Sequence, residues 1–234
     1  MSRSLMRISN FQNLTSVDNK LISFVNPHSY LILRNDKKTL NSVDVWLSDG
    51  SIIPIIMRFF GFAVTRSSFD YSSIAETIFN SCKSLNKSVA IIGSDKSSNS
   101  YFVESLERKY NLHIIFSRDG YFNEVEYKQC LDQLVSLDPD VIVTGMGTPS
   151  QEKFLIDLRE LGWKGTGFTC GGFIHQTKLN QGAYYPPLIN SLNLRFLYRM
   201  WKEPRTIQRY LLRYPVACCL IISDLISKRL TGNS

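Results

Sequence analysis

Val141-Ile-Val-Thr-Gly-Met-Gly-Thr-Pro-Ser-Gln-Glu-Lys-Phe154 is the stretch on which the reading of the fold turns. Asp140 leads into three β-branched apolar residues, the pattern of a short buried strand. Gly145 and Gly147 then interrupt it with residues that tolerate positive φ and let a ligand approach the backbone. Pro149 suits the first turn of a helix, and Phe154, Leu155, Leu158 and Leu161 supply its apolar face. Strand, glycine turn and helix start together aim free backbone N–H groups at an anion, with Gln151 facing the same crevice and Glu152 ordering the helix start. Spacing alone fits an ordinary strand-to-helix turn equally well.

The same alternation repeats outward in both directions. Leu21-Ile-Ser-Phe-Val25 predicts a strand, with Asn26 as N-cap and Pro27 at N1 of a short helix to about Arg34. Val43 to Leu47 predicts a second strand ending at Ser48-Asp49-Gly50, and Ile52 to Phe60 a buried helix that tolerates Pro54 only in its first turn. Asp70 is expected to cap a helix bearing Ile74, Ile78, Cys82 and Leu85. Val89 to Ile92 and Leu112 to Phe116 predict two more strands. Gly93-Ser94 follows the first, and Asp119-Gly120-Tyr121-Phe122 the second, with Tyr121 and Phe122 expected in the core. Asn123 caps the next helix, and a last strand is expected near Gly167 to Thr169. Strands alternating with helices across short turns predict an α/β fold, a Rossmann-like, mostly parallel sheet with helices on both faces. Ligands in such sheets bind beyond the carboxyl ends of the strands, so Asp49, Gly93-Ser94, Asp119, Gly145 to Gln151 and Cys170-Gly171-Gly172 should share one rim.

The chain has 234 residues, 44% hydrophobic and 20% charged, and carries a net charge of +7. Such a composition belongs to a soluble globular protein, and the charge favours an acidic partner: nucleic acid, an anionic membrane or a phosphorylated substrate. Five scattered cysteines without C-x-x-C spacing argue against a disulfide framework or zinc site and for a reducing cytoplasm. The N-terminus lacks the apolar core of a signal peptide, and Val216 to Ile222 is too short to span a bilayer, so the protein is expected neither to be exported nor to cross a membrane.

From Ser191 the pattern becomes purely helical, dividing the chain into a 1–190 core and a 191–234 basic appendage. Arg205, Arg209 and Arg213 recur every four residues beside Ile207, Leu211 and Tyr214. Arginines among apolar and aromatic residues suit an anionic membrane surface, where each contributes about 1 kcal/mol. A solvated face packed on the domain is the alternative. Nucleic acid is not expected, because no recognised binding motif accompanies the charge.

Asp49 beside Gly50 reads as a general base or as a turn former. Asp138-Pro139-Asp140 imitates a metal-binding D-x-D but precedes its strand, which places it at the wrong rim, so it reads as a helix–strand turn. No metal and no cofactor are expected. Gly93-Ser94-Asp95 lacks G-x-G-x-x-G, which disfavours a nucleotide-dependent oxidoreductase.

The order of Asn26, Ser48-Asp49-Gly50, Asp119-Gly120-Tyr121-Phe122, Gly145-Met-Gly-Thr-Pro-Ser-Gln-Glu152, Gly171-Gly172 and Tyr198-Arg199 with Glu203-Pro204-Arg205 resembles the WecG/TagA/CpsF family of bacterial glycosyltransferases. The resemblance covers residues 15 to 213. It implies metal-independent, inverting transfer of a sugar, often N-acetylmannosamine, from a UDP donor to a polyprenyl-diphosphate-linked acceptor. The enzyme would lie on the cytoplasmic face of the cell membrane as a peripheral protein of cell-surface polysaccharide synthesis. It further implies Asp49 as the base and Gln151 as a holder of sugar or diphosphate oxygens. Asn26, Gly50, Asp119, Gly145, Gly147, Thr148, Gly171, Gly172 and His175 would bind substrate, and Arg199, Arg205, Arg209 and Arg213 the lipid diphosphate or the membrane. Members of that family can self-associate, which adds a homo-oligomer to the expected partners. Three positions depart from the pattern: Phe24 replaces a threonine, Ser68 a glycine, and His175 an aspartate after Gly-Gly. These departures leave a catalytically weakened nucleotide-sugar or membrane-binding homologue as the rival reading.

Overall fold

The structure is a computed structural model and describes residues 6–14, 16–179 and 207–230. The strands are β1 (Ile8–Ser9), β2 (Leu21–Val25), β3 (Val45–Ser48), β4 (Ser88–Gly93), β5 (His113–Arg118), β6 (Val141–Gly145) and β7 (Thr166–Thr169). They form one sheet in the order β1-β3-β2-β7-β6-β4-β5, parallel throughout. The helices are α1 (Pro27–Leu33), α2 (Lys37–Ser42), α3 (Ile52–Phe59), α4 (Ala75–Ser84), α5 (Lys96–Tyr110), α6 (Glu124–Leu137), α7 (Ser150–Glu160), α8 (Phe173–Leu179) and α9 (Tyr214–Leu230), the last continuing a π-helical turn at Arg209–Arg213. The α/β architecture expected from the alternating pattern is therefore present, and β1 is a short edge strand that the pattern did not reveal.

Successive side chains of a strand point to opposite faces, and the core divides accordingly. Leu21, Val25, Ala90, Ile92 and Ile142 pack with α1, α6, α7 and α9, whereas Ile22, Phe24, Val89, Ile91 and Val143 pack with α4, α5 and α8. Crossovers running towards β1 place α1, α6 and α7 on the first face, and those running towards β5 place α4 and α5 on the second. Right-handed β-α-β connections require this segregation. On the second face Phe69 meets Phe24, Phe79, Phe168 and Phe173 with ring centroids between 5.2 and 6.1 Å apart. That cluster pins the 66–70 segment against the sheet, and the segment returns to β3 through Ser67 N–H donating to Ser48 O at 2.8 Å.

Caps follow the sequence closely at three helices. Asn26 and Ser29 form a reciprocal capping box on α1, Asp95 caps α5, and Asn123 with Glu126 caps α6. Asp140 accepts from Ser88 N–H and Oγ at 2.7 and 2.6 Å at the amino end of the sheet, in agreement with a turn role.

Several local expectations are corrected. Asp70 does not cap α4, which starts at Ala75; its carboxylate instead accepts from Arg66 Nη2 at 2.9 Å and Ser72 N–H at 2.8 Å. Only Ile53, Pro54 and Met57 of α3 are buried, so this helix is amphipathic and not a core helix. Tyr121 is exposed, while Phe122 stacks on Phe154. Pro149 is the N-cap of α7, one position before the helix.

The short apolar run at 216–222 lies within a longer helix, 209–227, whose length and composition would permit a membrane crossing. Its inner face is committed to the domain. Ala217, Ile221 and Leu225 are buried, and the buried Asp224 carboxylate accepts from Arg34 Nη2 at 2.8 Å and Tyr30 OH at 2.7 Å. Burial and the neighbouring Asp224 carboxylate push the Tyr30 phenol well above its ordinary value. The expected boundary at 190/191, and Arg199 and Arg205 of the expected basic set, lie outside the described residues.

Asp224→Ala leaves the Arg34 charge and the Tyr30 hydroxyl buried without this partner, a change that costs about 3–5 kcal/mol in comparable buried pairs. Hydrogen exchange is expected to show α9 losing protection by about that amount while β6 and β7 keep theirs. Unchanged protection in α9 would show that Asp224 does not hold the helix.

Candidate active site

Beyond the carboxyl ends of β2, β3, β6 and β7 lies a cavity of about 360 Å³, the place the sheet topology leaves for a ligand. Asn26, Asp49, Gly145, Gly147, Thr148, Gln151, Gly171, Gly172 and Arg209, all expected at the site, line it together. His28, Ser29, Ser68, Thr169, Cys170 and Gln176 line it as well and were not foreseen as binding residues.

Asp49 follows β3 directly, its own N–H donating to Val25 O at 2.8 Å. Ser68 Oγ donates to its Oδ1 at 2.7 Å, and Asn26 Nδ2 to its Oδ2 at 3.4 Å. Ser68 is the residue that departs from the family's glycine, and here its hydroxyl fixes the carboxylate. Asn26 divides its amide, since Oδ1 accepts from Ser29 N–H at 3.1 Å while Nδ2 reaches Asp49. Gly50 stands beside this group but is not part of the lining.

Under the cavity floor runs a row of hydroxyls made by strand register. Thr144 pairs with Thr169 across β6 and β7, and Ser23 lies next to Thr169 with their oxygens 2.9 Å apart. Glu152, 1% exposed, sits above them. Its Oε1 accepts from Ser23 Oγ at 2.9 Å, Gln151 Nε2 at 3.0 Å and Thr148 Oγ1 at 3.2 Å. Glu152 therefore does more than order the helix start: it ties β2, the glycine turn and α7 together. Gln151 in turn accepts from Gly171 N–H at 3.2 Å, bracing the β7–α8 turn against the β6–α7 turn. A Cβ on Gly145 would sit 2.9 Å from both Cys170 Sγ and Gly171 O, so the closeness of those two turns depends on a residue without a side chain.

On the β4–β5 side the turns after β4, β5 and β6 press against one another. A Cβ on Gly93 would meet Gly145 O at 2.5 Å, Ser94 N–H donates to Gly145 O at 3.0 Å, and Gly120 N–H donates to Ser94 O at 2.9 Å. Two expected substrate contacts fall outside the lining. Asp119 accepts from Tyr121 N–H at 2.9 Å, shaping its own turn. His175 is directed at the start of α5, with Nδ1 3.1 Å from Ser98 Oγ and 3.4 Å from Asp95 Oδ2.

Basic side chains lie around His28. His28 is pulled down to about 4 by burial first and then by the Arg209 and Arg213 guanidiniums, so it is neutral at physiological pH. Its buried Nδ1 makes no hydrogen bond among the described residues. Cys170 offers no thiolate, because burial pushes its thiol up to about 12. The fixed Asp49 carboxylate and the Arg209 guanidinium in one cavity, with Arg213 near His28, suit a substrate with a hydroxyl to deprotonate and a diphosphate to neutralise.

Burial raises Glu152 above its ordinary value, against the lowering effect of Gln151, Ser23 and Thr148. A group raised on folding contributes stability that is complete below its unfolded value and lost as pH rises through the folded one. Glu152→Gln removes that liability. Its melting temperature relative to wild type is expected to climb as pH rises from the ordinary glutamate value through neutrality. Parallel melting curves for the two proteins across that range would contradict a raised Glu152.

The model of the glycosyl transferase WecG/TagA/CpsF family matches residues 4–231. A UDP-Gal:alpha-D-GlcNAc-diphosphoundecaprenol beta-1,4-galactosyltransferase of Shigella boydii is 32% identical over 216 residues, covering 92% of this chain and 90% of that protein. Match length and identity together place this chain in the WecG/TagA/CpsF family, as a glycosyltransferase that moves hexosyl groups.

Proposed function

We propose that this protein transfers a hexosyl group from a UDP-hexose to a sugar carried on a polyprenyl diphosphate, with inversion at the anomeric carbon and without a metal ion. Asp49 is the base. Its carboxylate takes the proton of the acceptor hydroxyl as that oxygen bonds to the anomeric carbon. The bond from that carbon to the UDP oxygen breaks, and UDP leaves with the electron pair. What carries this reading is Asp49, held by Ser68 and Asn26 in a cavity that Arg209 also lines.

Galactose is the donor sugar favoured over N-acetylmannosamine, since the Shigella boydii relative uses UDP-Gal. Phe24 supports a change of sugar, because it lines the cavity with an aromatic ring where the family pattern has a hydroxyl. Negative charge developing on the leaving diphosphate meets Arg209 and Arg213, the backbone N–H groups of Gly147 and Thr148, and the N-terminal dipole of α7. Gln151 and Glu152 act as positioning residues that keep these turns in place. The polyprenyl chain of the acceptor and the apolar outer face of α9 favour attachment to the inner face of the cell membrane.

Asp49→Asn is expected to lower the transfer rate by about 10²–10⁴-fold while leaving UDP affinity intact. Ser68→Ala should lower it by about tenfold, the effect of losing one hydrogen bond to a charged group. Wild-type turnover by Asp49→Asn would remove Asp49 from the role of base. A separate readout is the His28 titration, followed by NMR. A diphosphate between Arg209, Arg213 and His28 offsets the guanidinium field and should move His28 up from about 4 when UDP binds. A His28 titration untouched by saturating UDP would place the diphosphate elsewhere.

A further inference from the structure

Helix α3 starts three residues after Asp49 and contains Ile52, Ile53, Pro54, Ile55, Ile56, Met57, Arg58 and Phe59. Ile53, Pro54 and Met57 hold it to the domain. Ile52, Ile55, Phe59 and Phe62 form a stripe on the other side, with Ile55 65% and Phe59 88% exposed. An aromatic ring left almost wholly in water at the tip of an apolar stripe is uncommon for a soluble surface, where such side chains are scattered singly. The exposed Leu85, Val125, Leu137 and Leu161 of this protein are of that scattered kind.

The stripe does not stand alone. α3 packs beside α9, and the exposed Leu212 of the π-helical turn with Val216, Ile222 and Ile226 of α9 recur at helical spacing away from the face that binds α1. Charge on the two segments has one sign. No Asp or Glu occurs from 50 to 69 or from 204 to 223, whereas Arg58, Arg209 and Arg213 fall within those ranges and Arg66 is paired with Asp70. Paired apolar stripes with a cationic border match the boundary between anionic headgroups and acyl chains.

We propose that α3 is a second membrane contact, inserting Ile55 and Phe59 into the acyl boundary beside α9 and so holding the Asp49 wall of the cavity at the lipid surface. The inference rests on the peripheral attachment proposed above and adds to it a specific surface next to the base. Its consequence is geometric: a hydroxyl one or two sugars from a polyprenyl diphosphate stays close to the headgroups, and α3 brings the base to that depth.

The test uses the full-length protein and vesicles of phosphatidylglycerol and phosphatidylethanolamine. Ile55→Glu/Phe59→Glu is expected to weaken vesicle binding by at least about tenfold, since two apolar side chains lose their burial. Transfer to a water-soluble, short-chain acceptor should be retained, and transfer to acceptor embedded in vesicles should fall. Leu212→Glu/Val216→Glu on α9 separates the two levels of the inference. If that variant loses vesicle binding while Ile55→Glu/Phe59→Glu binds as wild type does, the α3 contact is overturned and peripheral attachment stands. If wild type itself does not bind, both fall. A changed mass in sedimentation with vesicle binding intact would make the stripe a surface between two copies of the chain, and would also overturn the proposal. Phe59→Trp provides a check that needs no disruption of folding. Its fluorescence should be quenched by lipids brominated on the acyl chains, whereas Leu85→Trp, at the opposite end of the sheet, should not respond; an unquenched Phe59→Trp contradicts insertion.

Discussion

A single carboxyl oxygen, Glu152 Oε1, receives hydroxyl donors from Ser23 on β2 and Thr148 in the β6–α7 turn, and the amide of Gln151 on α7. The site can form only where these elements are adjacent, and the sheet order makes them so. β2 and β6 are separated by more than a hundred residues of chain, yet β7 alone stands between them. In-register parallel pairing then lines up Thr144, Thr169 and Ser23 at one level, a polar row set into strands that are otherwise apolar. A buried carboxyl is tolerated there because its hydrogen bonds offset part of its desolvation. In return it fixes the two glycine turns whose backbones form the cavity floor.

Charge is distributed across the cavity by two independent devices. The negative side comes from the end of β3, where the 66–70 segment, pinned by Phe69 in its aromatic cluster, delivers Ser68 to Asp49. The positive side comes from the start of the C-terminal helix, a part of the chain with no place in the sheet. Arg34 and Tyr30 on α1 grip Asp224 of α9, and α1 is also the helix that carries His28 below Arg209 and Arg213. Anchoring the tail and forming the electropositive wall are therefore one structural event.

Much of the sheet was legible because parallel strands are buried on both faces and so read as short apolar runs. Leu21 to Val25 is reproduced residue for residue, and Asn26 and Asn123 cap the helices that they precede. The rim was legible for the same reason, since strand ends fixed which residues could meet. Failures came where a residue's partner is remote in sequence or its apolar character is ambiguous. Asp70 looked like a cap until Arg66 and Ser72 claimed it. Ile52 to Phe60 is apolar nearly throughout, so periodicity could not tell a buried helix from one with a bare outer stripe. Glu152 was given a local role because Ser23 lies 129 residues away; the available signal was an inward-facing hydroxyl near the end of each of three apolar strands. Ser68 looked like the loss of a glycine and instead donates to the Asp49 carboxylate at 2.7 Å. Asp119 lies at the expected rim but turns to Tyr121 N–H, and His175 turns to Ser98 and Asp95, partners that no local pattern encodes.

The account centres on one displacement by one base, and the stereochemistry of the product tests it most directly. Purified protein supplied with α-linked UDP-galactose and a GlcNAc-diphosphate-lipid acceptor should yield a product whose new anomeric proton shows the large coupling of a β-galactoside in its NMR spectrum. An α-galactoside from the same donor would require a double displacement or a front-side mechanism, and would contradict Asp49 acting as a lone base.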